Sequence, residues 1–136
     1  MIRYKIEKTG SYKDFSYCII LHMTGYRCGY VIISDAVADK LRSKLFTPDV
    51  IECHGGITFN KNISENDKLT PPGWWIGFDC AHSGDSPDLE AVTEAFGDNT
   101  HVFMPRDIYG QLWTMKEVED ECCQIIRQIE EFLKQN

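Results

Sequence analysis

The chain has 136 residues, 43% of them hydrophobic, and a formal net charge of −7, with 21 acidic against 14 basic side chains. This hydrophobic content argues against a disordered chain, and the length fits one domain, residues 1–136, with one core. The acidic balance excludes duplex DNA as an expected partner, because such binding relies on neutralising phosphates with lysine and arginine.

Targeting and redox features of the sequence predict a cytoplasmic protein. No stretch approaches the ~20 apolar residues of a membrane-spanning helix, and the first residues lack the apolar region of a signal peptide, so no membrane partner is expected. Because the cysteines form no C-x-x-C pair, a zinc site of thiolates has no support, and free thiols are expected. The six cysteines are Cys18, Cys28, Cys53, Cys80, Cys122 and Cys123.

Alternating apolar and polar residues predict that the first third of the chain is an antiparallel meander. The alternation runs through residues 1–7 and 15–21, and residues 26–33 are rich in β-branched and aromatic side chains. Gly10 is expected to break the first strand, and Thr24-Gly25 to form the turn before the third.

A short helix and two short strands are predicted next. Ser34 can cap a helix from residue 35 to about residue 45, which Pro48 is expected to end. Residues 50–53 and 57–59 then have the composition of strands on either side of a glycine pair.

The following segment is predicted to contain a loop, a buried strand and a helix. Residues 60–73 form a loop by composition, and the apolar run of residues 74–80 is expected to be a central strand. Ser86 is expected to cap a helix with Pro87 at its first position, and Gly97 to end it.

The C-terminal segment is predicted to be a long amphipathic helix. Thr114 and Glu117 have the spacing of a capping box. Its apolar residues recur at helical spacing: Val118, Cys122, Ile125, Ile126, Ile129, Phe132 and Leu133. This stripe is expected to pack on one face of the sheet, and a homo-oligomer interface is the alternative. The predicted fold class is α+β: a mainly antiparallel sheet, this helix on one face, and one or two short helices.

Two polar clusters carry the functional prediction. In His54-Gly55-Gly56, followed by Thr58, the glycines allow close approach of a ligand, and their amides can form an anion-binding nest. The alternative is a glycine bulge beside a histidine that is satisfied in the core.

The second cluster places Asp79, Cys80, His82, Ser83 and Asp85 within seven residues, directly after the predicted central strand. Ionisable groups at the end of a buried strand are costly unless paired, so their density indicates a function. The alternative is a turn whose carboxylates accept backbone N–H bonds.

Three functions remain open if the clusters meet: metal-dependent hydrolysis, catalysis by a thiolate, and binding without a reaction. His54, Asp79, His82 and Asp85 have the donor types for zinc or manganese, which favours a metal-dependent hydrolase acting on a phosphoester or similar bond, although no H-E-x-x-H spacing is present. Cys80 beside a histidine could be a thiolate nucleophile.

The leading hypothesis is binding of a nucleotide-like or anionic small ligand without a cofactor, and a protein–protein interaction module is a further alternative. Tryptophans could stack on a base, glycine amides and arginines could hold phosphate, and carboxylates could accept hydroxyl protons. Core packing of the tryptophans and solvent exposure of the arginines are the structural alternatives. The predicted ligand-binding residues are His54, Gly55, Gly56, Thr58, Trp74, Trp75, Asp79, His82, Asp85, Arg27 and Arg106.

Three motifs of the sequence together carry a resemblance to other proteins. They are Cys28-Gly29-Tyr30-Val31, His54-Gly55-Gly56-Ile57-Thr58-Phe59, and Trp74-Trp75-Ile76-Gly77-Phe78-Asp79-Cys80-Ala81-His82-Ser83-Gly84-Asp85. They resemble a family of small uncharacterised proteins of phages and bacteria, from about residue 15 to the end of the chain. Between Val31 and Glu52 this chain departs from the proline- and glycine-containing loop of that family. The resemblance implies that both polar clusters form one site. It also suggests a phage-encoded protein that sequesters an immune signalling nucleotide in the host cytoplasm.

Overall fold

The computed structural model describes residues 4–42, 44, 50–67, 71–97 and 110–135. The strands are β1 (Tyr4–Tyr12), β2 (Phe15–His22), β3 (Arg27–Ile33), β4 (Phe59–Ile63), β5 (Gly73–Asp79), β6 (Asp85–Ser86) and β7 (Gln111–Leu112). The helices are α1 (Asp35–Leu41), α2 (Leu89–Phe96) and α3 (Met115–Gln135). No helix in these described ranges is long and apolar enough to cross a membrane.

A five-stranded sheet in the order β1-β2-β3-β5-β4 forms the centre of the fold, and all its pairs are antiparallel. The first three strands form the predicted meander. β5 lies between β3 and β4, so its C-terminal end delivers Asp79 and the residues after it to an interior position of the sheet. The predicted α+β fold class is confirmed.

The long helix α3 covers one face of this sheet. Its capping box is present, since Glu117 N–H donates to Thr114 Oγ1 at 3.2 Å and Thr114 N–H donates to Glu117 Oε1 at 3.1 Å. Gly29 in β3 allows a close approach, because a β-carbon there would lie 2.8 Å from Cys122 Sγ. The fully buried residues of the helix are Val118, Cys122, Ile125, Ile126 and Ile129. The central part of the apolar stripe is therefore occupied within the chain itself.

Two predicted boundaries in the first half of the chain are wrong. β1 does not end at Gly10 but continues to Tyr12 with a bulge between Ile6 and Lys8, because Gly10 lies opposite Tyr17 and makes room for its ring. α1 ends at Leu41, before residue 45, and Pro48 lies outside the described residues.

The segment around the glycine pair also differs from the prediction. Residues 51–53 and 57–58 are not strands. Conversely, the predicted loop of residues 60–73 contains most of β4, whose residues pair with β5 from Gly73 to Gly77. Composition obscured this strand because Asn60 and Asn62 occupy alternate positions, and asparagine is depleted in strands.

The helix α2 begins later than predicted. Ser86 does not cap it, because this residue pairs with Leu112 in the parallel β6–β7 ribbon. Asp88 caps the helix instead, through a carboxylate that accepts the Ala91 N–H at 3.1 Å. Gly97 ends the helix as predicted.

A buried guanidinium joins three separate parts of the fold. Arg27 is only 5% exposed. It donates to both carboxylate oxygens of Glu7 at 2.6 and 3.0 Å, to Asp88 Oδ2 at 2.8 Å and to the Trp113 carbonyl oxygen at 2.9 Å. These bonds connect the bulge of β1 with the start of α2 and with the segment before α3.

We expect Arg27→Met to lower the free energy of unfolding by about 3–5 kcal/mol, because two partly buried carboxylates would lose their cation. Urea denaturation measures the change. Arg127→Met is the control, since Arg127 is exposed on α3 and contacts Tyr12, and its removal should cost about 1 kcal/mol or less. Equal losses in the two variants would contradict the role of Arg27.

Glu119 should make stability depend on pH. Hydrogen bonds from Lys8 and Tyr17, each at 2.6 Å, hold the pKa of this carboxyl below its ordinary value of 4.5. Because the unfolded chain binds this proton at a higher pH, the stabilisation is complete above 4.5 and disappears as pH falls through the lowered folded pKa.

We therefore expect Glu119→Gln to be less stable than the parent protein near neutral pH, and this difference to shrink as the pH falls below about 4.5. Urea denaturation across this pH range measures it. A stability difference that stays constant down to acid pH would show that the charge of Glu119 does not contribute.

Candidate functional site

The two polar clusters meet in the structure. His54 Nε2 lies 2.8 Å from Asp85 Oδ2 and 2.9 Å from Asp85 Oδ1. Asp85 is 3% exposed and also accepts the His82 N–H at 2.9 Å. Because an ionised carboxylate only accepts hydrogen bonds, the proton between them belongs to His54 Nε2. When His54 is neutral, its Nδ1 is therefore an acceptor.

The glycine pair shapes the backbone that holds His54. Gly55 and Gly56 have φ angles of 71° and 77°, and the Gly56 N–H donates to the Cys53 carbonyl oxygen at 2.9 Å to close a turn. A β-carbon on Gly55 would overlap the His82 ring, whereas a β-carbon on Gly56 would meet no atom within 4 Å. Gly55 is thus required for the two clusters to come together.

In the turn after β5, polar side chains bond to groups close by. Asp79 accepts the Ala81 N–H at 3.1 Å and the Thr58 hydroxyl at 3.0 Å. His82 Nε2 lies 3.3 Å from Asp79 Oδ1, a distance that permits an ion pair, but its orientation does not make a hydrogen bond. Carboxylates of this cluster thus accept backbone N–H bonds within the turn, as the structural alternative predicted.

Trp113 completes the wall beside His54. The two rings stack with centroids 4.3 Å apart at 30°. Pairing of Asp85 with Gln111 in the β6–β7 ribbon and the bond from Arg27 to the Trp113 carbonyl oxygen place this ring. Sequence reasoning missed Trp113, because no local pattern marks it and only tertiary pairing brings it to His54.

A cavity of about 490 Å³ lies next to His54. It is lined by Glu52, Cys53, His54, Trp113, Glu121, Gln124 and Gln128. We call it the His54 cavity. Its volume is within the usual range of small-molecule sites.

Hydrogen bonds connect the walls of the His54 cavity to one another. Gln128 forms a pair of hydrogen bonds with the backbone of Glu52, at 2.7 and 2.9 Å, and the His54 N–H donates to Glu121 Oε2 at 3.3 Å. Glu121, Gln124 and Gln128 recur at helical spacing beside the apolar stripe of α3. That polar spacing was the sequence signal that could have identified them.

The electrostatics of the His54 cavity favour hydrogen-bond donors. Glu52 and Glu121 contribute carboxylates, and the described lining residues include no lysine or arginine. A phosphate group in this cavity would therefore face two negative charges without a compensating cation. An N–H group or a cation is the complementary chemistry.

Neither cysteine near the site is prepared to act as a nucleophile. Burial, together with the charge of Glu121, raises the pKa of the Cys53 thiol to about 12, so it stays protonated at neutral pH. Burial likewise raises the pKa of Cys80, whose side chain belongs to the core beneath α3.

The other predicted site residues lie elsewhere. Trp74 and Trp75 are at the start of β5, on opposite faces of the sheet. Trp75 is fully buried and donates to the Pro71 carbonyl oxygen at 2.9 Å, while Trp74 donates to Asn60. Arg27 is engaged by two carboxylates, as described above. Arg106 lies outside the described residues. The structure brings together His54, Gly55, Gly56, Thr58, Asp79, His82 and Asp85, but of these only His54 is among the described lining residues of the His54 cavity.

The side chains around His54 are poorly arranged to bind a metal ion. His54 Nε2 is occupied by both oxygens of Asp85. In the part of the chain that the structure describes, no group of three or more His, Cys, Asp and Glu side chains is arranged to hold a metal. Zinc and manganese usually take three or four such protein ligands.

Comparison with known proteins adds no relative. No family model, no curated protein and no solved structure matches the chain. The resemblance to small phage and bacterial proteins therefore stays a prediction.

We expect Gly55→Ala to destabilise the protein more than Gly56→Ala. Both substitutions place a β-carbon at positive φ, which costs roughly 1–2 kcal/mol, but only the β-carbon on Gly55 meets a neighbour, the His82 ring. This overlap should add about 1–3 kcal/mol. Urea denaturation gives the free energies, and the NMR signals of the His82 ring report its displacement. Identical losses with an unmoved ring would contradict the contact.

Proposed function

We propose that this protein binds a small, nitrogen-rich molecule in the His54 cavity, and that a nucleobase is the part recognised. The observation that carries this proposal is a histidine, fixed by the buried Asp85, in the wall of a cavity whose charged lining is negative. A base presents ring N–H and amino groups, which are the donors that such a lining accepts.

The lining supplies both recognition and shape. Glu121 and Glu52 can accept hydrogen bonds from amino or ring N–H groups, and charge-assisted bonds of this kind are among the stronger ones in proteins. When His54 is neutral, its Nδ1 is a further acceptor, because its Nε2 proton is directed to Asp85. The stacked pair of His54 and Trp113 forms a flat wall suited to a planar heterocycle.

This proposal covers a narrower class of ligands than the sequence analysis did. Of the nucleotide-like and anionic ligands, we favour those recognised through the base, because phosphate in the cavity would meet Glu52 and Glu121. Arg27, one of the two expected phosphate clamps, is bonded to Glu7 and Asp88. A phosphate on the ligand would therefore have to point away from this cavity.

Binding without turnover is the mode of action that we propose. The high pKa of Cys53 and the engagement of His54 Nε2 with Asp85 give less support to nucleophilic or metal-dependent hydrolysis. Holding a ligand intact corresponds to sequestration, the role that the resemblance to phage proteins implies. Removal of a host signalling nucleotide is part of this proposal.

We expect nucleosides to bind at least as tightly as their monophosphates, and Glu121→Gln to weaken nucleoside binding about tenfold or more, because it replaces a charged acceptor by a neutral one. Isothermal calorimetry with adenosine, guanosine, cytidine and their monophosphates measures this. Glu131→Gln is the matched control, since Glu131 is exposed on α3 and contacts Gln135. Competition by inorganic phosphate, or full binding in Glu121→Gln, would contradict the proposal.

The fate of the ligand separates sequestration from hydrolysis. Ligand released by heating should be chemically unchanged by mass spectrometry. A converted product, together with stoichiometric zinc or manganese that is lost in His54→Ala, would instead establish the hydrolase alternative.

A further inference from the structure

A second concave surface lies on the face of the sheet that α3 does not cover. Buried Cys18, Ile20, Cys28, Tyr30, Ile63 and Trp75 form a separate apolar cluster there. A cavity of about 380 Å³ opens on this cluster, and its lining includes Tyr4, Ile20, His22, Tyr30, Phe59 and Lys61. We call it the sheet-face recess.

We propose that the sheet-face recess is a second binding site, for an uncharged planar aromatic molecule of one or two rings. Its aromatic walls are already arranged for such a ligand. The rings of Tyr30 and Phe59 meet edge to face, with centroids 5.3 Å apart at 83°, and those of Tyr4 and His22 are tilted by 54° at 6.5 Å. A ligand ring placed against such walls gains both stacked and edge contacts.

Gly77 makes this arrangement possible. It lies in β5 between Tyr30 of β3 and Phe59 of β4, opposite both residues in the strand register. A β-carbon at Gly77 would be 2.5 Å from the Tyr30 ring, so only glycine lets this ring lie across the strand. Covering a strand glycine with a neighbouring aromatic ring is a known way to stabilise a sheet. The aromatic wall is therefore held by the backbone of β5.

The charges at the rim favour an uncharged ligand. Lys61 Nζ lies 3.9 Å from Asp67 Oδ1, and the two charges offset each other. Asp67 Oδ2 also accepts the Ser64 N–H at 2.7 Å, which keeps this carboxylate in place. Burial lowers the pKa of His22, and Asp79 only partly opposes this, so His22 is neutral at physiological pH.

The surface suits a small molecule better than a protein. Protein partners bury patches of ~800 Å² on each side, and such patches expose apolar side chains. In the described part of the chain, the exposed large hydrophobic residues are Ile6 and Leu112, at 41% and 38%, and neither lines the recess. The apolar groups of the recess are instead sunk below the surface, as in ligand pockets.

Titration of the isotope-labelled 136-residue protein with naphthol, followed by NMR, tests this proposal. We expect saturable binding and magnetisation transfer between naphthol protons and the rings of Tyr30 and Phe59. Phe59→Ala should weaken binding about fivefold to tenfold through loss of the aromatic contact. Leu112→Ala, which removes an exposed apolar side chain in the separate β6–β7 ribbon, should leave binding unchanged.

Four results would overturn the assignment. They are the absence of saturable binding by the parent protein, transfer to Trp113 instead of Tyr30 and Phe59, tighter binding of naphthoate or naphthylmethylamine than of naphthol, and self-association that naphthol reverses. Because magnetisation transfer is measured on the unaltered protein, the test does not depend on whether Phe59→Ala folds.

Discussion

A buried carboxylate has to be paired, and the pairing of Asp85 with His54 organises the site. Asp85 lies in the short ribbon that also positions Trp113, while His54 lies in a turn fastened to α3. Two hydrogen bonds, from His54 Nε2 to Asp85 and from the His54 N–H to Glu121, thus join the ribbon to the helix that covers the sheet. The energetic need to compensate the buried charge holds the imidazole in one orientation, with one nitrogen occupied and the other available.

The two faces of the sheet provide different chemistry. On the covered face, α3 contributes both the apolar stripe of the core and the adjoining polar residues of the His54 cavity. On the other face, Tyr30 and Phe59 form an aromatic recess beside a glycine in β5. Because side chains alternate along β5, Asp79 and Trp75 point away from α3, whereas Cys80 points toward it. The strand therefore separates residues that are neighbours in sequence into two environments.

Electrostatics distinguishes the two proposed sites. The His54 cavity has carboxylates without a lysine or arginine among its described lining residues, which selects for hydrogen-bond donors. The described lining residues of the recess include one lysine and one aspartate, Lys61 and Asp67, whose charges offset each other. No arginine is among the described lining residues of either site, and Arg27 shows why residue type alone is a poor guide to a binding site. Its guanidinium makes four hydrogen bonds that connect β1, α2 and the segment before α3.

The sequence by itself determined the α+β class, the meander, the capping box and stripe of α3, and the two polar clusters, because each depends on local periodicity or on residue type. It could not reveal β4, whose asparagines hide the alternation, or the true cap of α2, since Ser86 is taken by a ribbon partner distant in sequence. Only the tertiary structure decided that Asp85 meets His54, that Trp113 stacks on this histidine, and that Trp75 belongs to the core. These contacts join segments far apart in the chain, and packing and long-range pairing, which no local pattern encodes, select them.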